Sequence, residues 1–295
     1  MSTILRICKK LPSPVRVAEI LKPAWLGILV IDGKRVKCYD QGSKRIIKKL
    51  TDRERKRLHW FTWIVSIDTL GGDIPNNSMA EEETKIDIVM HLKDLKKMNY
   101  PLKAIVSDGV PWYGQCARKI FGKSVVIQHC TRHFLDRCRT KTSLKESKKY
   151  ISTTTMLIFF IKHIIEADTL DEADVWVERL KLNKHVLVKT KMQKWILNRF
   201  KKEAQNLTAH LLYPRLNIPH TNNDAENLIG QAEKRIHLIG RFNHWMNAKD
   251  YLNAWTLWRR FTPFTDCKGQ RKHRNGKSPL QLSGANTSGV DWLEL

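Results

Sequence analysis

Hydrophobic and polar positions follow three different patterns along the chain. Residues 25–31, Trp25-Leu-Gly-Ile-Leu-Val-Ile31, form a short apolar run rich in β-branched side chains and closed by Asp32-Gly33. That pattern predicts a strand running into a tight turn. Val36–Tyr39 reads as its hairpin partner, and Trp60–Ile67 as a further strand closed by Asp68 and the turn-forming Gly71-Gly72. The three make an antiparallel meander. Between Thr84 and Met98, apolar and basic positions largely segregate at helical spacing, which predicts an amphipathic helix. Leu102–Val106 then predicts a buried strand ending in Ser107-Asp108-Gly109, Trp112–Phe121 a second helix and Ser124–Ile127 a last strand. The predicted order is β-β-β-α-β-α-β.

From Cys130 to about Tyr213 the strand signals vanish, and helical patterns cover Met156–Ile165, Leu170–Leu182 and Val186–Leu207. Pro214 and Pro219 punctuate the end of this all-helical zone. Thr221-Asn222-Asn223 then supplies N-cap residues for a helix in which Ala225, Leu228, Ile229, Ala232 and Ile236 share a face. Asp266–Lys277 is polar and basic and reads as a surface segment.

Composition narrows the partners. Of 295 residues, 53 are Lys or Arg and 29 Asp or Glu, a formal net charge of +24, while hydrophobic residues make up an ordinary 42%. A folded chain with so large a positive field is expected to attract polyanions, nucleic acid foremost. The longest apolar run, Met156–Ile165, is half the length of a membrane span and contains Lys162 and His163, so no membrane partner is expected. The N-terminus lacks the apolar core of a secretion signal. The six cysteines form no CxxC pair, which fits reduced thiols and a cytoplasmic, DNA-associated location. Between Lys34 and Arg57 there are 11 Lys or Arg against 3 Asp or Glu. Lys34, Arg35, Lys44, Arg45, Lys48 and Lys49 are therefore the expected contacts to DNA phosphates, against the alternative of a solvated loop face. Trp255 and Trp258, three apart on an expected helix face, read as core residues.

Asp32 and Asp108 each end a predicted strand and precede glycine, so each carboxylate is expected to point past the strand end, although Asp also caps turns there. Glu226 falls in the first turn of a helix, where its negative charge also complements the helix dipole. Together, two strand-end Asp and a helix-borne Glu can hold two divalent cations and clamp a phosphodiester for in-line displacement. Oxygen ligands are what Mg²⁺ or Mn²⁺ requires. Asp68 also ends a predicted strand and competes for a place in this set, whereas Asp136 and Asp224 read as solvated or capping residues. Cys130 and His133 could join zinc with Cys138 or His129, but no second paired ligand set is evident.

The ordered set Val30-Ile-Asp32-Gly-Lys34, Val106-Ser-Asp108-Gly109, Cys130-Thr-Arg-His133 and Thr221-Asn-Asn-Asp-Ala-Glu226-Asn227 resembles the Mutator-like group of DDE transposases and its bacterial insertion-sequence relatives. The acids are separated by 76 and 118 positions (108 − 32 and 226 − 108), which leaves room for the helical insertion that such proteins carry before the Glu. The resemblance implies an α/β RNase H-like mixed sheet. It assigns Asp32, Asp108 and Glu226 as catalytic and metal-holding residues for two Mg²⁺ or Mn²⁺ ions, and Cys130 and His133 as auxiliary residues at the edge of the site. Residues 25–129 would form the first part of the core, 130–215 the insertion, 216–262 the remainder with the Glu helix, and 263–295 a basic tail. Residues 1–24 would be a remnant linker or the tail of an N-terminal DNA-binding module. The implied activity is metal-dependent cleavage at element ends followed by 3′-hydroxyl transfer into double-stranded target DNA. The alternatives are a nuclease without strand transfer or an inactive nucleic-acid-binding remnant, with a homodimer among the open assembly states.

Overall fold

A computed structural model describes residues 3–39, 58–240 and 242–295. In chain order the elements begin with α1 (Thr3–Cys8), α2 (Pro14–Leu21), β1 (Ile28–Tyr39), β2 (Leu58–Asp68), β3 (Asp73–Ala80), α3 (Lys85–Lys97), β4 (Ala104–Ser107), α4 (Pro111–Phe121) and β5 (Val126–His129). Helices α5 (Thr131–Lys145), α6 (Ile151–Ile165), α7 (Leu170–Leu187), α8 (Lys191–Leu207), α9 (Ala209–Leu212), α10 (Asn223–Ile239), α11 (Trp245–Phe261) and α12 (Pro279–Leu282) follow. The fold is mixed α/β, and its five strands include antiparallel and parallel pairs. The chain divides into two compact units, Met1–Lys103 with Gln115–Ser124 and Asn223–Leu295, and Ala104–Gly114 with Val125–Asn222. No helix among the described residues is long and apolar enough to cross a membrane.

The first unit holds the meander β3-β2-β1, built from different strands than the pattern predicts. Asp32-Gly33 is not a turn: β1 runs straight through it, with Asp32 opposite Val65 and Gly33 opposite Ile64 on β2. The predicted strand 25–31 and its partner 36–39 are one strand. A Cβ at Gly33 would lie 2.4 Å from a carboxylate oxygen at the flexible end of Glu83, which would have to move aside. The third strand is instead β3, Asp-Ile-Pro-Asn-Asn-Ser-Met-Ala, whose Pro and two Asn hide it from a propensity reading. Side chains hold it in place. Trp63 donates its indole N–H to Asn77 (3.3 Å), Ser66 its hydroxyl to the Asn76 carbonyl (3.1 Å), and Asn76 its amide to the His91 carbonyl on α3 (3.0 Å). Thr84 and Asp87 form a capping box at the start of α3.

Two fully buried carboxylates organise this unit. Asp68, at the end of β2, accepts the backbone N–H groups of Gly27 (2.9 Å), Leu26 (3.3 Å) and Leu70 (3.2 Å) and the Tyr100 hydroxyl (2.6 Å). Burial pushes its carboxyl up, against the opposing pull of these donors. Asp73, at the start of β3, accepts the Trp25 indole N–H (2.8 Å) and both arms of a fork from Arg260 on α11 (2.8 and 2.9 Å). In the N-terminal segment, Ser13 caps α2 with Pro14 in its first turn, and Val17 and Leu21 pack with Leu257, Leu280 and Ala285. On α11, Trp255 is buried edge-on against Trp63, with ring centroids 5.8 Å apart, but Trp258 is 37% exposed, so the two do not share the core as expected.

The second unit joins the parallel pair β4 and β5, with Ser107 opposite His129, to the helices α5–α9. Its core includes Phe134, Leu135, Leu157, Ile161, Ile165, Ile196 and Phe200, from α5, α6 and α8. Buried Gln128 secures β5 by donating to the Leu207 carbonyl (3.0 Å) and accepting the His210 N–H (2.9 Å).

Burial pushes the His91 imidazole down to about 3 and that of His210 to about 4. Below an ordinary value of 6.5 the unfolded chain takes up protons that these folded imidazoles refuse. Stability is therefore fully present above about pH 6.5 and declines as pH falls toward the folded values, by up to about 1.4 kcal/mol per pH unit for each histidine. Urea titrations at pH 7 and 5 should show this loss, and His91→Gln should remove about half of it. An equal pH dependence in the variant would count against the assignment.

Candidate active site

Each predicted acid sits in a distinct local setting. Asp32 is half-buried within β1, and its Oδ1 accepts the N–H of Gly33 (2.9 Å). Because side chains alternate along a strand, Asp32 shares a face with Lys34, which forms an ion pair with Glu233 on α10. Further along, the Phe242 N–H meets the Lys37 carbonyl, so β1 and α10 run in the same direction. Two residues back from Lys34 spans about 6.6 Å of strand, and seven residues back from Glu233 spans about 10.5 Å of helix, two turns on the same face. These steps reach Asp32 and Glu226. The first unit therefore carries the two acids on elements that pack together, although 194 positions (226 − 32) separate them in sequence. Glu226 is half-buried in the first turn of α10.

Asp108 belongs to the second unit and directly follows β4. Here the strand-end turn occurs as expected: Gly109 adopts φ +86° and the Asp108 Oδ1 accepts the Val110 N–H (3.0 Å). Behind it lies a network that the sequence reading missed. Arg137 on α5 donates to the Asp108 carbonyl (3.0 Å) and pairs at 3.5 Å with buried Glu203 on α8, which also pairs with Arg199 and accepts a hydrogen bond from His129 (3.2 Å). Burial pushes the Glu203 carboxyl up, but the His129 hydrogen bond and the two guanidinium charges outweigh it and hold the group below the usual range. The carboxylate thus braces the Asp108 turn through Arg137. The available signal was Arg137 itself, one helical turn beyond His133.

Cys130 is fully buried as the N-cap of α5, its N–H held by the Ser107 carbonyl (2.7 Å), so its thiol lies in the core. His133 lies in the first turn of α5 beside a cavity of about 480 Å³ that Arg137, Lys141, Trp195 and Arg199 also line. Asp136 is exposed and pairs with Arg139 (3.1 Å), and Asp224 receives a fork from Arg271 (2.7 and 3.2 Å). Of the predicted phosphate contacts, Lys34 and Arg35 border a cavity of about 680 Å³ with Lys234 and His237, whereas Lys44, Arg45, Lys48 and Lys49 lie outside the described residues.

The donor chemistry of Asp32, Asp108 and Glu226, all carboxylate oxygen, suits hard divalent cations. Among the described residues, no group of three or more His, Cys, Asp or Glu side chains is close enough to hold a metal ion.

Glu203→Gln leaves Arg137 and Arg199 without their buried counter-charge and should cost about 1–3 kcal/mol in urea unfolding. Arg139→Gln, which loses only an exposed pair, should change stability by less than about 1 kcal/mol in the same measurement. No protein-family model matches the chain, and no curated protein matches it significantly.

Proposed function

We propose that the protein is a DDE-type DNA transposase with an RNase H-like core, cleaving strands at element ends and joining the freed 3′-hydroxyl to target DNA. The observation that carries this reading is the packing of α10, the helix of Glu226, on β1, the strand of Asp32, tied by the Lys34–Glu233 ion pair within one unit. Asp108 at the carboxyl end of a parallel strand supports it, because open α/β sheets place their sites there. So does the β-β-β-α-β-α-β order that the elements follow from β1 to β5, together with the +24 charge.

Divalent cations of the Mg²⁺ type, when bound, supply activation of the attacking hydroxyl and neutralisation of the leaving oxygen. By the resemblance, Asp32, Asp108 and Glu226 are the residues that would hold them, although as placed they do not form a metal-holding group. The backbone N–H groups of Gly33 and Val110 orient the two aspartates, and the basic residues of the first unit bind the phosphate backbone. No side chain need form a covalent intermediate.

Cleavage and joining of labelled duplexes carrying inverted-repeat ends, with Mg²⁺ or Mn²⁺, tests the reading. Asp108→Asn should lower cleavage at least about 100-fold, more than an outer-shell change costs, while DNA affinity stays within about 2-fold. Cleavage without joining would identify a nuclease, and tight DNA binding without cleavage a non-catalytic binder. Replacing Lys44, Arg45, Lys48 and Lys49 with Ala should flatten the dependence of log K on log salt by about 0.9 for each phosphate that is no longer neutralised. An unchanged slope would mark that cluster as a solvated face.

A further inference from the structure

The C-terminal basic segment folds back onto the helix that carries Glu226. Its 3₁₀ turn, Gly269–Arg274, is tied to the first turn of α10 by the Arg271–Asp224 fork, and a pocket of about 280 Å³ opens beside that fork. Arg259, Lys268, Arg271 and Arg274 supply four cations to its wall, against the carboxylates of Asp224 and Asp266. Arg271 consumes Asp224.

The other guanidinium groups are oriented by neutral partners. Arg259 lies over the Phe264 ring, 4.4 Å from its centroid, and donates to the Thr262 carbonyl (3.3 Å). Arg274 donates to the carbonyls of Thr69 (3.1 Å) and Leu70 (3.2 Å), and its Nε is buried without a hydrogen-bond partner. Neither pairs with a carboxylate among the described residues. Burial pushes both groups down from their ordinary value, outweighing the opposing pull of Asp266 on Arg259 and of Asp224 on Arg274. A planar guanidinium held in this way is pre-set for an anion with paired oxygens, above all phosphate.

We infer that this pocket seats a backbone phosphate of DNA, an inference that rests on the DNA-processing reading above. Asn227 and Gln231, on the same face of α10 as Asp224, add amide donors at the rim. A run of cations, Lys268, Arg271, Lys272, Arg274 and Lys277, continues along the segment, matching a strand of successive phosphates better than a single small anion.

Fluorescence anisotropy with a labelled duplex of about 20 base pairs, read across a salt series, decides the matter. Arg259→Gln/Arg274→Gln should lower the steepness of log K against log salt by about 0.9 for the one seat removed, with the thermal melt unchanged. Should that variant melt early, Asn227→Ala/Gln231→Ala/Lys268→Gln, which removes exposed rim groups only, carries the test, and its slope should fall likewise. A wild-type chain that binds DNA with steep salt dependence while the folded variant keeps the same slope overturns the seat and leaves the function standing. A wild-type chain that binds no duplex overturns both. Stabilisation by inorganic phosphate over chloride at matched ionic strength, with an unchanged DNA slope, would identify a free-anion site and also overturn the seat.

Discussion

Asp73 is the constraint from which the first unit takes its form. A carboxylate removed from water is tolerated only if charge and hydrogen bonds are returned to it, and Asp73 receives both from Arg260 and a third donor from Trp25. Those two partners and Asp73 itself lie in three distant stretches of sequence, so satisfying one side chain fixes the approach to β1, the start of β3 and the last turn of α11 together. Trp255 then meets Trp63, and Leu257 joins Val17, Leu21 and Leu280 in a common cluster. Asp68 meets the same demand with neutral donors alone, from Leu26, Gly27, Leu70 and Tyr100. With both carboxylates fully buried, neither has the access to substrate that chemistry requires.

Against those two, the half-buried setting of Asp32 and Glu226 is the distinguishing feature. Asp32 lies within β1 beside the buried run Ile28–Ile31, and Glu226 lies in the first turn of α10 beside buried Ala225. Asp108 is different in kind. Its position depends on a turn, with Gly109 in the left-handed region and a backbone carbonyl clamped by Arg137. The rigidity of that turn comes from Glu203, which gathers Arg137, Arg199 and His129 around one buried carboxylate.

Periodicity made the helices legible, because an apolar stripe at helical spacing has one stable outcome when enough residues support it. Boundaries were less legible: the pattern starts a helix at Val186, but the preceding helix runs to Leu187 and Thr190 caps the next one at Lys191. Local signals failed where a tertiary contact reversed their meaning. Asp32-Gly33 carries a turn signature, yet both residues pair with Val65 and Ile64 on β2, and the strand continues. Residues 73–80 carry no strand signature, and side chains hold them in place: Trp63 and Ser66 donate to them, and Asn76 donates to the α3 backbone. The three acids were visible as types and spacings. Their supports, Arg137, Glu203 and Arg271, were not, since nothing local distinguishes a bracing arginine from a solvated one.

Helix α10 shows how much can be loaded onto one element. At about 100° per residue, Ala225, Leu228, Ile229 and Ala232 form a stripe that is buried in the core. Glu226 and Glu233 lie about 100° to one side of that stripe, toward β1, where Lys34 engages Glu233. Asp224, Asn227 and Gln231 lie about 100° to the other side, toward the arginine pocket. The core stripe therefore holds the two polar faces at a fixed angle and in a fixed axial register. A rotation of the helix that improved one face would withdraw the other, so the Arg271–Asp224 fork, by resisting that rotation, stabilises the orientation of Glu226 without touching it.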